Sequence, residues 1–159
     1  MCDYSLMGIP NRLATEGEEL VTYKFSTGSI GLAPPVEVQR LVQARTAAHP
    51  GFWGGLREIF AAPVGNGVPA VCIPPGARLI LRDIPVTLQH SVGIDPTEEV
   101  TFTQLGAAAN RYRDALRFGN GKDILLQELA EGQRVLVIDL SLAEPREPAM
   151  AEQGYRLVR

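Results

Sequence analysis

Apolar and polar residues alternate through the early and late parts of the chain, and a longer period interrupts them in between. Glu19-Leu20-Val21-Thr22-Tyr23-Lys24-Phe25 is rich in β-branched and aromatic side chains and partly alternates, which predicts a strand. Gly28-Ser29-Ile30-Gly31-Leu32-Ala33 adds a turn and a short extended piece. Pro34-Pro35 ends the β character and fixes φ for the start of a helix. From there Val38, Leu41 and Val42 fall on one helical face, while Glu37, Gln39, Arg40 and Gln43 face away. His49-Pro50-Gly51 is the expected stop. Phe52, Leu56, Ile59 and Phe60 then repeat at helical spacing, weakened by Gly54-Gly55 and ended by Pro63. This helical pair, about residues 35–62, reads as an insertion in a β-rich chain.

The β pattern resumes at Ala70–Ile73 and continues through Ala77–Arg82 after the Pro74-Pro75-Gly76 turn. Val86–Val92 fits either period; Glu99–Leu105 alternates, with Val100 and Phe102 on one face. Residues 105–112 satisfy a helical stripe as well as a strand. Ala115–Phe118 and Lys122–Gln127 flank Asn120-Gly121, a pair that accepts the positive φ of a tight hairpin. Arg134–Leu140 follows after the Glu131-Gly132-Gln133 turn, so three neighbouring antiparallel strands are expected. The fold class is therefore β-rich α+β: an antiparallel meander sheet or partial barrel, covered on a face or an end by the helical pair. Val100, Phe102, Leu116, Phe118, Ile124, Leu126, Val135 and Val137 are the expected core. Residues 1–142 form one domain on this reading, and 143–159, with two prolines and several glutamates, a solvated tail.

Composition narrows the function class. The net charge of −3 supplies no basic field for a phosphate backbone, which argues against nucleic acid. No apolar run approaches the ~20 residues of a spanning helix. The first residues lack the basic start and apolar stretch of a secretory signal. Two cysteines make no disulfide framework and suit a reducing cytoplasm.

The opening Met1-Cys2-Asp3-Tyr4-Ser5-Leu6, the Gly31-Leu32-Ala33 turn and Asp114-Ala115-Leu116-Arg117-Phe118 leading into the Asn120-Gly121 hairpin resemble a family of short, uncharacterised bacterial proteins. The likeness covers the ends of the chain better than residues 35–62. It implies a bacterial, cytoplasmic origin and carries no activity with it.

Four groups of residues offer chemistry. Cys2, Asp3, Cys72 and His90 combine sulfur, carboxylate and imidazole, the donor set of a zinc site, although no two lie at the close spacing of a zinc motif. Cys72, between Val71 and Ile73, also suits a small core position. Cys2 alone is a thiol that needs an activating cation or histidine to act as a nucleophile. Arg111, Tyr112 and Arg113 can grip a carboxylate or phosphate, or simply lead solvated into a strand. Phe52, Trp53, Leu56 and Phe60 form an aromatic surface that either covers the sheet or meets a partner. The expected function is a small binding or accessory protein acting by protein–protein or self-association. A metal-dependent enzyme or carrier and an anion-binding domain are the alternatives, so catalysis is left open.

Overall fold

The computed structural model describes residue 6 and residues 8–47, 67–106 and 112–142. Nine strands and two helices lie within them. In chain order these are β1 (Asn11–Leu13), β2 (Glu19–Lys24), β3 (Ile30–Ala33), α1 (Pro35–Ala47), β4 (Ala70–Cys72) and β5 (Arg78–Arg82). They are followed by α2 (Val86–Val92), β6 (Glu98–Gln104), β7 (Asp114–Phe118), β8 (Asp123–Leu125) and β9 (Arg134–Asp139). Seven strands form one antiparallel sheet in the order β3-β2-β9-β5-β6-β7-β8, while β1 and β4 pair in parallel as a separate ribbon.

Alternation explains the core. One face of the sheet gathers Leu20, Leu32, Leu79, Leu81, Val100, Phe102, Leu116, Phe118, Ile124, Val135 and Val137 into a single buried cluster with Val71 and Ile73 of the β4 region. All eight core residues expected from the pattern are buried. The expected β-rich α+β class is the one observed, and β5 to β8 make a four-strand antiparallel meander. The sheet also rolls. Gln127, in the 3₁₀ turn Leu126–Glu128, reaches the opposite edge strand and uses its carboxamide as a strand would. Its Nε2 donates to the Ile30 carbonyl at 2.7 Å, and its Oε1 accepts from the Ile30 N–H at 2.9 Å. The backbone ladder stays open, and a side chain bridges the seam.

One strand placement differs from expectation. β9 does not pair with β8; it sits between β2 and β5. The preceding turn is held there by Thr22, whose backbone and hydroxyl bind Ala130, Gly132 and Gln133. The hairpin turn differs as well. Gly121 has φ of 82°, but Asp83 is the one non-glycine with positive φ among the described residues, so Asn120 does not share that conformation. The Gly121 N–H donates to the Phe118 carbonyl, and the Phe118 N–H to the Lys122 carbonyl, both at 2.9 Å, which makes a three-residue loop with a glycine bulge. Asn120 is spent on α2 instead: its Nδ2 and the Lys122 Nζ both donate to the Val92 carbonyl at the end of that helix, at 3.0 and 2.7 Å.

The ambiguous segment Val86–Val92 is a helix. Pro85 opens it, and Gly93, at φ of 75°, closes it by donating to the Gln89 carbonyl. A second, smaller cluster lies around the outer side of β2 and β3, where Leu6, Phe25, Ala33, Val68 and Ala70 pack with Tyr23, Val38 and Leu41. Here α1 starts at Pro35 as expected and holds on through Val38 and Leu41, but Val42 is 54% exposed rather than on the buried face. Gly31 makes this packing close, since a Cβ there would lie 3.0 Å from a Phe25 ring carbon and 3.1 Å from a Leu6 methyl. The second expected helix and the tail from 143 onward lie outside the described residues.

Candidate association surface

The β1–β4 ribbon is the feature that the alternation pattern did not announce. Asn11 sits opposite Ala70, Arg12 opposite Val71 and Leu13 opposite Cys72. The Ala70 N–H donates to the Pro10 carbonyl at 2.8 Å and the Ala14 N–H to the Cys72 carbonyl at 3.0 Å. Backbone groups of a parallel strand point alternately to either side, so Asn11 and Leu13 turn theirs away from β4. All three residues of β1 are exposed, and Leu13 is 69% exposed. A leucine on an outward strand edge is the geometry by which extended partners are bound, with main-chain bonds for affinity and a side chain for selectivity.

The edge is held rigid from behind. The Arg12 guanidinium donates to the Leu13 carbonyl at 3.1 Å and pairs with both carboxylate oxygens of Glu18. Glu18 also accepts from the Thr15 N–H and hydroxyl, at 3.1 and 3.2 Å. Hydrogen bonding to Arg12, more than any other contact, draws the Glu18 carboxyl below its ordinary value. The turn between β1 and β2 is thereby fixed, and a fixed edge loses less entropy on binding than a mobile one.

Two concavities accompany the surface. One is a cavity of about 20 Å³ between Leu6, Gly31, Leu32, Val71, Cys72, Ile73, Phe102, Asp114 and Leu126, roughly the room of a single water molecule. The other is an open polar cleft of about 340 Å³ at the end of α2, lined by Gln89, His90, Gly93, Ile94, Asp95 and Glu98. Glu98 is already occupied locally, accepting from the Asp95 N–H at 2.8 Å.

The residues singled out from the sequence scatter over this frame. Cys72 is buried on β4, and His90 lies exposed on α2, at different concavities. Cys72 is disulfide-bonded, a state in which its sulfur presents no thiolate. No three His, Cys, Asp or Glu residues among those described are grouped to hold a metal ion. Cys2 and Asp3 lie outside the described residues. So does Arg111, whereas Tyr112 is exposed and Arg113 half-buried at the start of β7, with its carbonyl accepting from the Leu105 N–H at 2.8 Å. Phe52, Trp53, Leu56 and Phe60 are also outside them. Asn11–Leu13 had no periodic signal to reveal it, because all three of its side chains face solvent. None of the described helices is long and apolar enough to cross a membrane. No protein-family model, curated protein or solved structure matches the chain.

Proposed function

We propose that this chain is a small binding or accessory protein that acts by association with another protein or with a second copy of itself. The observation that carries the reading is the outward edge of β1, three exposed residues long, with Leu13 standing on a turn clamped by Arg12 and Glu18. An extended segment laid along this edge gains main-chain hydrogen bonds at Asn11 and at the Leu13 N–H, the Leu13 carbonyl being held by Arg12, and Leu13 offers it an apolar anchor. Phe52, Trp53, Leu56 and Phe60 are the second contact element of this proposal, on the strength of their aromatic content. With the family resemblance, we place the protein in the bacterial cytoplasm, a setting in which a disulfide is reversible rather than permanent.

A photo-crosslinking residue introduced at position 13, and separately at position 53, tests the surface in cells. Adducts to one defined protein, or to the chain itself, are expected at these positions and not at exposed Leu142. Identical patterns at all three positions would remove the reading. Leu13→Asp should weaken the association about tenfold or more in sedimentation equilibrium, since it places a charge against apolar surface.

A further inference from the structure

We propose that the outer edge of β1 receives the C-terminal end of a partner protein, laid parallel to β1 with its α-carboxylate at the Leu13 N–H. The proposal deepens the association reading and rests on it. β1 runs parallel to β4, and the bonds to β4 fall on Pro10 and Ala14, so Asn11 and Leu13 present their N–H and carbonyl groups outward. One of these four groups is already taken: the Leu13 carbonyl accepts from Arg12 Nη1 at 3.1 Å. What remains is a short row, made of the Asn11 N–H, the Asn11 carbonyl and the Leu13 N–H.

An added strand must suit that shortened row. In a parallel pair, the partner residue level with Arg12 donates its N–H to the Asn11 carbonyl and accepts, at its own carbonyl, from the Leu13 N–H. In a chain that continues, the next inward N–H comes two residues later and meets the Leu13 carbonyl, where the Arg12 guanidinium already stands. A chain that ends level with Arg12 has no such N–H. An antiparallel strand fits worse, since the residue opposite Leu13 aims its own N–H at that occupied carbonyl.

The chemistry at the stop suits an anion. Arg12 spends both Nη1 hydrogens, on the Leu13 carbonyl and on Glu18, and one Nη2 hydrogen on Glu18. Its Nε–H and second Nη2 hydrogen have no partner among the described residues, and together they form the fork that matches a carboxylate. Glu18 does not hide this charge. The Arg12 side chain is 43% exposed and that of Glu18 only 15%, so the member of the pair that an incoming chain meets is the cation. A terminal carboxylate therefore finds a backbone N–H and a guanidinium at one place, and Leu13 offers apolar contact to the side chains that precede it.

The probe is a pool of hexapeptides of random sequence, joined to beads at their N-termini and ending in a free carboxylate. Full-length protein should select members with apolar residues near the end. The selected peptides should bind about tenfold more weakly when remade as C-terminal amides or continued into a carrier protein. Arg12→Ala removes the cation and frees the Leu13 carbonyl, so it should bind acid, amide and continued forms within about twofold of one another, with its melting transition retained. Equal binding of the three forms by the wild type would overturn the proposal, and so would a pool from which nothing is retained. Crosslinks at position 13 that persist in either case leave the association reading standing, with an internal strand or a second copy as the occupant. Their absence as well would remove both.

Discussion

Thr22 is the buried polar residue on which the placement of the final strand turns. Its hydroxyl donates to the Ala130 carbonyl at 2.6 Å and accepts from the Gln133 N–H at 2.8 Å, and its backbone binds Gly132 and Gln133. Gln133, itself buried, then donates through Nε2 to the Arg82 carbonyl and ties the turn to β5. Valine at position 22 has the right shape but leaves a buried N–H and a carbonyl without their partner. Thr22→Val should therefore cost about 1–3 kcal/mol in urea unfolding, and Thr22→Ser, which keeps the hydroxyl, clearly less. Equal losses in the two variants would mean that the methyl group, not the hydroxyl, holds this site.

Among the elements, the seam depends on one carboxamide. Gln127 gives Ile30 both the donor and the acceptor that a neighbouring strand would give. Gln127→Leu removes both, and hydrogen exchange at the Ile30 amide should accelerate about tenfold or more as the edge opens. An unchanged rate would show that packing alone closes the seam.

The elements also show how far the sequence can be read. Strands at 19–24, 78–82 and 98–104 were legible because each buries one face and so alternates, whereas 30–33, buried at Gly31, Leu32 and Ala33 alike, was legible only as a short extended piece and 114–118 through the turn that follows it. Val86–Val92 resisted because its β-branched composition opposes its flanking punctuation, and Pro85 with Gly93 decided for a helix. Lys122–Gln127 read as one strand, yet β8 stops at Leu125, where the Leu125 N–H turns to the Glu128 carboxylate at 3.0 Å. Strand order was not legible past β8, because it is set by Thr22 and Gln133, more than a hundred positions apart in the chain. The β1 edge was invisible for the opposite reason, having no buried side to leave a pattern.

For the molecule as a whole, charge is distributed as small pairs on the outer surface. Glu19 bridges Arg82 at 2.9 Å and Arg134 at 3.4 Å, and Arg117 grips Asp123 through two nitrogens, at 2.8 and 3.0 Å. Exposed pairs of this kind contribute little each. The Glu18 pair is better shielded, and its acidic partner has its carboxyl drawn below the ordinary value of 4.5, chiefly by the Arg12 hydrogen bond. The sign follows from linkage: a carboxyl depressed in the folded state stabilises fully above its unfolded value, and that contribution disappears as pH falls below it. Glu18→Gln should therefore destabilise at neutral pH, with the gap to wild type closing as pH drops below about 4.5 in denaturant titrations. A gap that persists unchanged in acid would assign the effect of Glu18 to shape rather than charge.

The position of β9 has a bearing on how the protein is made. On one side of it lies the pair β2 and β3, on the other the run from β5 to β8, and no other strand of the sheet joins the two. A ribosome releases the chain in order, so both portions emerge before the piece that unites them. They must wait, each with an apolar side uncovered, until Asp139 has left the exit tunnel. Chains halted before Arg134 should accordingly be held by chaperones or degraded, while those that extend past Asp139 become protease-resistant together.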